Sequence, residues 1–447
     1  MSGTDKNHAV VVGAGLTGLV TGYHIAAARV PVTVYETAAD FSEAQGLLNY
    51  GGTLVEPEFD PILRSDDELL RLLDELDAAT LLEWHPATFA VRIGGCIQPL
   101  GHPRDLRSFR RLGFFARFKL ARRAKQLLGS LENASEDMTA ERWLDKQMGK
   151  ELTAAFWNPV IRGFWGRKSA RVSAAWLARR LGRISSPSVS GDGTSGYVTG
   201  SLRVLADRLQ KGIEDLGGRV IYGTQVQEVL TSSAGLMGVF IEGQVVNTSA
   251  VVLSQRPDEI RALSPGLPES FFERLEVIPF QSQLRLNLEL DRDLGTPHHL
   301  LLCDEDLPFN EVVSHSAWVG AENCGDRHLA HLTATLSTGD PELEYPEEKL
   351  VDLFFDGLQQ LCPGFDRQWV KQHRLDRDVR SRPVPVAGSP LLAPVSSTPI
   401  PGIYLASEAA HGRRFRGPSV SAVIGREIAG LVIDDARSGD GDGDNES

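Results

Sequence analysis

The chain has only four cysteines in 447 residues, Cys96, Cys303, Cys324 and Cys362, with no C-x-x-C pair and no metal-ligand spacing among them. That excludes a disulfide framework, predicts no metal site and fits a reducing compartment with free thiols. Basic charge is also scarce. The 59 Asp and Glu outweigh 46 Lys and Arg for a net −13, which argues against a dedicated nucleic-acid binder. No run approaches the roughly 18 to 20 apolar residues of a membrane span. The opening MSGTDKNH lacks the apolar core of a secretory signal, so the cytoplasm is the expected compartment. No internal repeat is visible. The remainder, 42% hydrophobic and 23% charged, is ordinary for a globular protein long enough for two domains or one with a large insertion.

The most informative stretch is HAVVVGAGLTGLVTGYHIAAARVPVTVYE, residues 8 to 36. Ala9 to Val12 read as a buried parallel strand, Gly13-x-Gly15-x-x-Gly18 turns into a helix, and Val32 to Tyr35 form a second strand ending at Glu36. Gly13 permits the tight turn, Gly15 lets backbone approach a pyrophosphate, and Gly18 lets helix and strand pack closely. The helix start, with Ala14, Leu16 and Thr17, offers free N–H groups and a positive dipole end to phosphates. Glu36 lies about where a carboxylate must accept from a ribose hydroxyl. A dinucleotide site is therefore predicted, the alternative being a glycine-rich turn in an ordinary α/β core.

Further along, a loop through Gly46, Gly51 and Gly52 leads to a helix over residues 65–76, and residues 80–100 read as strands with a Gly94-Gly95 hairpin. Residues 103 to about 180 pattern as a helical cap. GSLRVLADRLQKGIEDLGG then reads as a helix with a glycine stop, RVIYGTQVQEVL as a strand pair, and Val251-Val252-Leu253 as a return to the nucleotide domain. QSQLRLNLELD and HLAHLTATLST alternate as half-buried strands do. The chain closes on a strand, a loop and a helix beginning near Pro418, then an acidic Gly- and Ser-rich tail expected to be disordered.

The opening βαβ unit and the closing strand–loop–helix together resemble the FAD-dependent superfamily of amine oxidases, phytoene desaturases and protoporphyrinogen oxidases. The resemblance covers nearly the whole chain. It implies that Tyr404-Leu405-Ala406-Ser407-Glu408 matches the family's last strand, with Ser and Glu where Gly and Asp are usual. It also implies that Glu408 holds the ribityl or pyrophosphate part of FAD, and that Gly417, Pro418, Ser419 and Val420 open the helix under the flavin. Val226 would touch the adenine through its backbone. The family's Gly-Gly-Arg after the second strand is replaced by Glu43-Ala44-Gln45-Gly46-Leu47-Leu48. With Gly46 and Leu47 at the cofactor and no Arg, a charge-assisted hydrogen bond worth about 1.5 to 3 kcal/mol is missing. No cysteine lies in residues 404–420, where covalently flavinylated relatives place one. The expected cofactor is non-covalent FAD, easily lost.

The chemistry is less legible than the cofactor. In the loop between the two flavin-contacting pieces, His411 is a candidate acid or base, and Arg413 or Arg416 a candidate partner for an anionic substrate or the reduced flavin. Alternatively, His411 caps backbone and the arginines pair with surface carboxylates. Residues 104–128 are basic and interleaved with Phe109, Phe114, Phe115 and Phe118. They suit either an anionic membrane surface or a cap helix with apolar residues in the core and arginines solvated. Trp157, Phe164, Trp165 and Trp176 are candidates for the cavity wall or for core packing. The pairs Asp66-Asp67 and Glu56-Pro57-Glu58 read as ordinary helix-start and loop carboxylates, and the charges from Asp376 to Arg382 as structural ion pairs.

The expected fold is α/β: a Rossmann-like FAD-binding domain, discontinuous over residues 1–80, 195–270 and 386–436, with a substrate and cap domain over 81–194 and 271–385 and a disordered tail over 437–447. The expected function is FAD-dependent dehydrogenation, desaturation or oxidation of a fairly apolar small molecule, by hydride transfer to flavin N5, in a setting such as specialised metabolism. Two alternatives stay open: a non-redox flavin isomerase, mutase or cyclase, and a degenerate flavoprotein serving as scaffold or partner subunit.

Overall fold

The computed structural model describes residues 8–58, 60–100, 103–109, 112–185, 193–233, 235–389, 396–407 and 417–441. Strand Ala9–Val12 stands in the middle of a five-stranded sheet whose neighbours all run parallel to it. Val32–Tyr35 and then Arg219–Ile221 lie on one side, Ala250–Leu253 and then Ile403–Leu405 on the other. Val10 and Val11 are fully buried, as a strand covered on both faces requires. One face packs on the opening helix Leu16–Ala27 and the closing helix Pro418–Gly441, through Leu19, Val20, Ile424 and Ile428. Gly425 makes that approach possible, since a Cβ there would sit 2.6 Å from Val20 Cγ1. The Rossmann-like α/β reading holds.

A second, seven-stranded sheet runs in the order Val370–Pro383, Phe280–Leu290, His328–Ser337, Glu311–Ser314, His299–Leu302, Phe89–Ile93 and Cys96–Pro99. Helix Glu347–Leu361 covers one face through Leu350, Phe354 and Leu358 against Leu284, Leu286 and Leu288. The helical segments from Pro103 to Ser185 form a separate packed layer around Trp143, Phe156 and Leu144.

Several expectations need correction. Arg219–Ile221 and Val226–Ser232 are not a pair: the first joins the parallel sheet, the second a three-stranded antiparallel sheet. The loop at Gly51 and Gly52 is the turn of a hairpin, Leu48–Tyr50 with Thr53–Val55, and both glycines have positive φ. Strand Phe280–Leu290 does alternate, yet nearly all of it is buried. Its polar residues Gln281, Gln283, Arg285 and Asn287 face protein, where they find partners, rather than water. The closing helix continues to Gly441, so residues 437–441 of the expected disordered tail are helical; 442–447 lie outside the described residues. Trp157, Trp165 and Trp176 pack in the core of the helical layer, with Phe164 against them, and none lines the cavity described below. In the segment 104–128 Phe109 is buried, but Phe114, Phe115 and Phe118 are 77%, 87% and 62% exposed. The opposite side of that helix, Leu120, Ala124 and Leu127, carries its packing.

Candidate active site

The glycine-rich turn is built as its residue types demand. Gly13 has φ +99° and its N–H donates to the Tyr35 carbonyl at 2.7 Å. A Cβ on Gly18 would lie 1.9 Å from the Gly13 oxygen, so only hydrogen fits between helix and turn. Helix Leu16–Ala27 starts at Gly15 with no side-chain cap and no acidic residue in its first turn, leaving its first N–H groups open to an anion. Glu36 is tied into this turn. Its Oε2 accepts from Ala14 N at 2.8 Å and its Oε1 from Ala38 N at 3.0 Å.

Beside the turn opens a cavity of about 450 Å3. Of the expected cofactor residues, Gly15, Leu16, Thr17, Gly18, Leu47 and Pro418 line it, together with Gln45, Ser407 and Gly417. Gly13, Ala14, Glu36, Gly46, Val226, Ser419 and Val420 are not among its lining residues. Ser419 donates instead to Asp66 Oδ2 at 2.6 Å, and Val226 is buried at the start of its strand. Glu408, His411 and Arg413 lie outside the described residues, as do Phe415 and Arg416. Thr17 Oγ1 donates to Ser421 Oγ at 3.0 Å, joining the first turns of the opening and closing helices at the cavity. The segment lacking the family's arginine is held from elsewhere: Arg374 donates to the Gly46 carbonyl at 2.8 Å, and Arg203 reaches Asp40 and Ser42.

The residues fit a dinucleotide. Open helix N–H groups face the cavity, a glycine without Cβ stands at the approach, and a Cβ on Gly15 would meet only the movable tip of Gln45 at 3.1 Å.

Beyond the turn, the wall is made by residues to which the sequence assigns no part in the site. Tyr197, Phe280, His315 and Trp318 bring rings to it, and Glu56, Glu58, Arg256, Asp378 and Arg380 bring charge. Glu56 is no ordinary loop carboxylate. It is half-buried, opens onto the cavity and accepts from Leu202 N at 2.6 Å. Burial pushes its carboxyl above the usual range, and the Leu202 N–H opposes this in part. Glu58 pairs with Arg285 at 3.3 Å and with Arg382, as the structural reading of Arg382 expects; the Glu56-Pro57-Glu58 run is a loop, as expected, but it faces the cavity. Tyr197 lies 5.3 Å from His315 and 5.5 Å from Trp318 between ring centroids, edge-on to both. Burial raises its phenol. The one available sequence signal for this wall is the polar side of strand Phe280–Leu290, which looks solvated but is enclosed. Among the described residues, no cluster of three or more His, Cys, Asp or Glu is placed to hold a metal.

Comparison with known proteins agrees with this geometry. A protein of Exiguobacterium sp. 255-15 assigned as a protoporphyrinogen oxidase shares the fold with TM-score 0.73 at 16% identity, over 97% of this chain and 100% of that one. Putrescine oxidase bound to putrescine matches with TM-score 0.72 at 15% identity, over 96% and 99%. Reduced UDP-galactopyranose mutase matches with 0.70 at 14%, over 97% and 98%. No curated protein matches in sequence. The sequence profile of the flavin-containing amine oxidoreductases matches residues 16–417, from the first turn of the opening helix to the start of the closing one. The chain therefore belongs to the flavin-containing amine oxidoreductase family and is an FAD-dependent oxidoreductase.

Proposed function

We propose that this enzyme dehydrogenates, desaturates or oxidises a fairly apolar small molecule. One observation carries the reading: a single cavity runs from the first turn of the opening helix to the rings of Tyr197, Phe280 and Trp318. When bound, FAD supplies a hydride acceptor at flavin N5 and asks little acid–base work of the protein. The chain's own residues bind and orient. The N–H groups at Gly15 to Thr17 receive pyrophosphate. Tyr197, Phe280 and Trp318 offer flat apolar contact and exclude water. Burial drives Glu56 towards its neutral form, and Glu58 is matched by two arginines. Neither carboxylate is therefore left to attract an ammonium, which suits an uncharged, apolar body.

The test is anaerobic. Addition of an apolar candidate must bleach the flavin band near roughly 450 nm and yield oxidised product in equal amount. The fold shared with UDP-galactopyranose mutase favours a second reading, a non-redox isomerase, mutase or cyclase. Turnover with no net oxidised product would select it.

We infer further that the enzyme works in the cytoplasm against an anionic membrane surface. Phe114, Phe115 and Phe118 stand exposed on the helix Phe114–Leu128, among exposed Lys119, Arg122 and Lys125. On a chain of net charge −13 this local basic, aromatic face matches acidic headgroups and the acyl boundary beneath them. Among the described residues no helix is long and apolar enough to cross a membrane.

A further inference from the structure

Imidazoles gather at the aromatic end of the cavity. His298 stacks on Trp318 at 4.9 Å and 14°. His315 lines the cavity, is only 3% exposed, and leaves its Nε2 buried with no hydrogen-bond partner. Buried polar atoms are nearly always satisfied, and one left without a partner costs about 1 to 3 kcal/mol.

Behind His315 lies a polar chain whose direction is fixed. His331 meets it at a centroid distance of 5.8 Å and an angle of 81°. The Nδ1 of His331 is 2.7 Å from Asn287 Oδ1, and Asn287 Nδ2 donates to Asp376 Oδ2 at 2.7 Å. Arg374 donates to the same carboxylate at 3.0 Å. A carboxylate paired with Arg only accepts, so Asn287 must turn its NH2 to Asp376 and its carbonyl to His331. His331 therefore carries its proton on Nδ1, and its buried Nε2 keeps a lone pair beside the His315 ring. Burial, with further cationic groups nearby, holds both rings neutral: His315 falls to about 4, and His331 lies well below its usual value.

The charges facing the pair exclude ionic ligands. His85 acts on His315, and Arg285 and Arg374 act on His331, all in the cationic sense, which opposes an ammonium. Those two arginines are already matched by Glu58 and Asp376, so neither is left to hold a carboxylate beside the His315–His331 pair; of the other arginines on the cavity wall, Arg256 faces Asp378 and Arg380 lies over the Phe280 ring. A neutral hydrogen-bonding group remains.

We propose that His315 receives the polar end of the substrate, a neutral phenolic or alcoholic hydroxyl on an otherwise apolar body, with Tyr197 and Trp318 packing against that body and His331 as a positioning residue. This rests on the reading of the cavity as the site of an apolar substrate.

Calorimetric titration of the FAD-loaded protein with p-cresol, p-xylene and 4-methylbenzylamine tests it. The wild type should bind p-cresol about tenfold more tightly than p-xylene, the share of one hydrogen bond. His315→Phe should abolish that preference, His315→Gln should keep part of it, and His331→Leu should reduce it by less than His315→Phe does. Equal binding of p-cresol and p-xylene by the wild type, a preference surviving His315→Phe, or tighter binding of the amine would each overturn the proposal. Should His315→Phe fail to fold, 15N-histidine spectra of the wild type decide: p-cresol must move the His315 resonances, and unmoved resonances reject the assignment. None of these readouts needs flavin reduction. A protein that keeps the cresol preference but never bleaches would lose the redox reading and retain this one.

Discussion

Arg183 holds Asp66 with two nitrogens, Nε at 3.1 Å from Oδ1 and Nη2 at 2.8 Å from Oδ2. The pair is largely buried, with side chains 18% and 6% exposed. Ser419 and the backbone of Leu63 donate to the same carboxylate, so three distant segments meet on one side chain. Asp66→Ala takes the carboxylate from Arg183, which keeps the Pro61 carbonyl; breaking a buried pair in this way costs about 3 to 5 kcal/mol. Urea denaturation checks this; a loss under about 1 kcal/mol would mean that the junction holds without the pair.

Two glycines three residues apart should fail differently. Gly18→Ala drives a methyl into the Gly13 carbonyl, so both stability and cofactor retention should fall. Gly15→Ala has only the Gln45 tip to displace but stands where pyrophosphate must approach. It should unfold within about 1 kcal/mol of wild type yet purify with far less flavin absorbance. Equal flavin content in the Gly15 variant and wild type would refute that placement.

Stability should fall with acid below neutrality. His24 and His315 are held to about 4, and His298 and His331 well below their usual value, chiefly by burial. Between about pH 6.5 and 4 the unfolded chain binds protons that the folded chain refuses. The stability these groups confer is thus whole above about pH 6.5 and lost as pH drops, by up to about 1.4 kcal/mol per pH unit for each ring. Glu56, raised by burial, has the opposite sign but is a single group. Urea midpoints at several pH values between 7.5 and 5 measure the slope, and His24→Phe should make it shallower. A flat profile would contradict neutral burial.

Sedimentation with vesicles tests the exposed phenylalanines. The protein should pellet with vesicles rich in phosphatidylserine at low salt and stay free of neutral ones. Replacing Phe114, Phe115 and Phe118 together with Ala should release it without lowering its melting temperature, since none of the three is in the core. Binding that survives this change would reject the surface.

The nucleotide half of the site was legible because its determinants are contiguous. Gly13, Gly15, Gly18 and Glu36 sit within one βαβ unit, where spacing alone fixes geometry. The closing helix at Pro418 was legible for the same local reason. The substrate end was not. Glu56, Tyr197 and the short helix His315–Val319, which carries both His315 and Trp318, come from three separate segments, and nothing local distinguishes a loop Glu that becomes buried from one that stays in water. Strand Phe280–Leu290 misled through a correct pattern: its alternation is real, but its polar side faces Glu58, Ser381 and Asp376 rather than solvent. The phenylalanines at 114, 115 and 118 show the converse, apolar side chains that periodicity would assign to a core and that the fold leaves outside.

The order of strands in the parallel sheet sets a schedule for biosynthesis. Ala9–Val12 is made about 240 residues before its neighbour Ala250–Leu253, and the sheet's last member, Ile403–Leu405, follows about 150 residues after that. Until then the central strand has an open edge and the glycine-rich turn lacks the opposing wall at Ser407 and Pro418. Cofactor capture thus waits on the last-made of the segments that line the cavity, so the same stretch of chain completes both the sheet and the nucleotide wall.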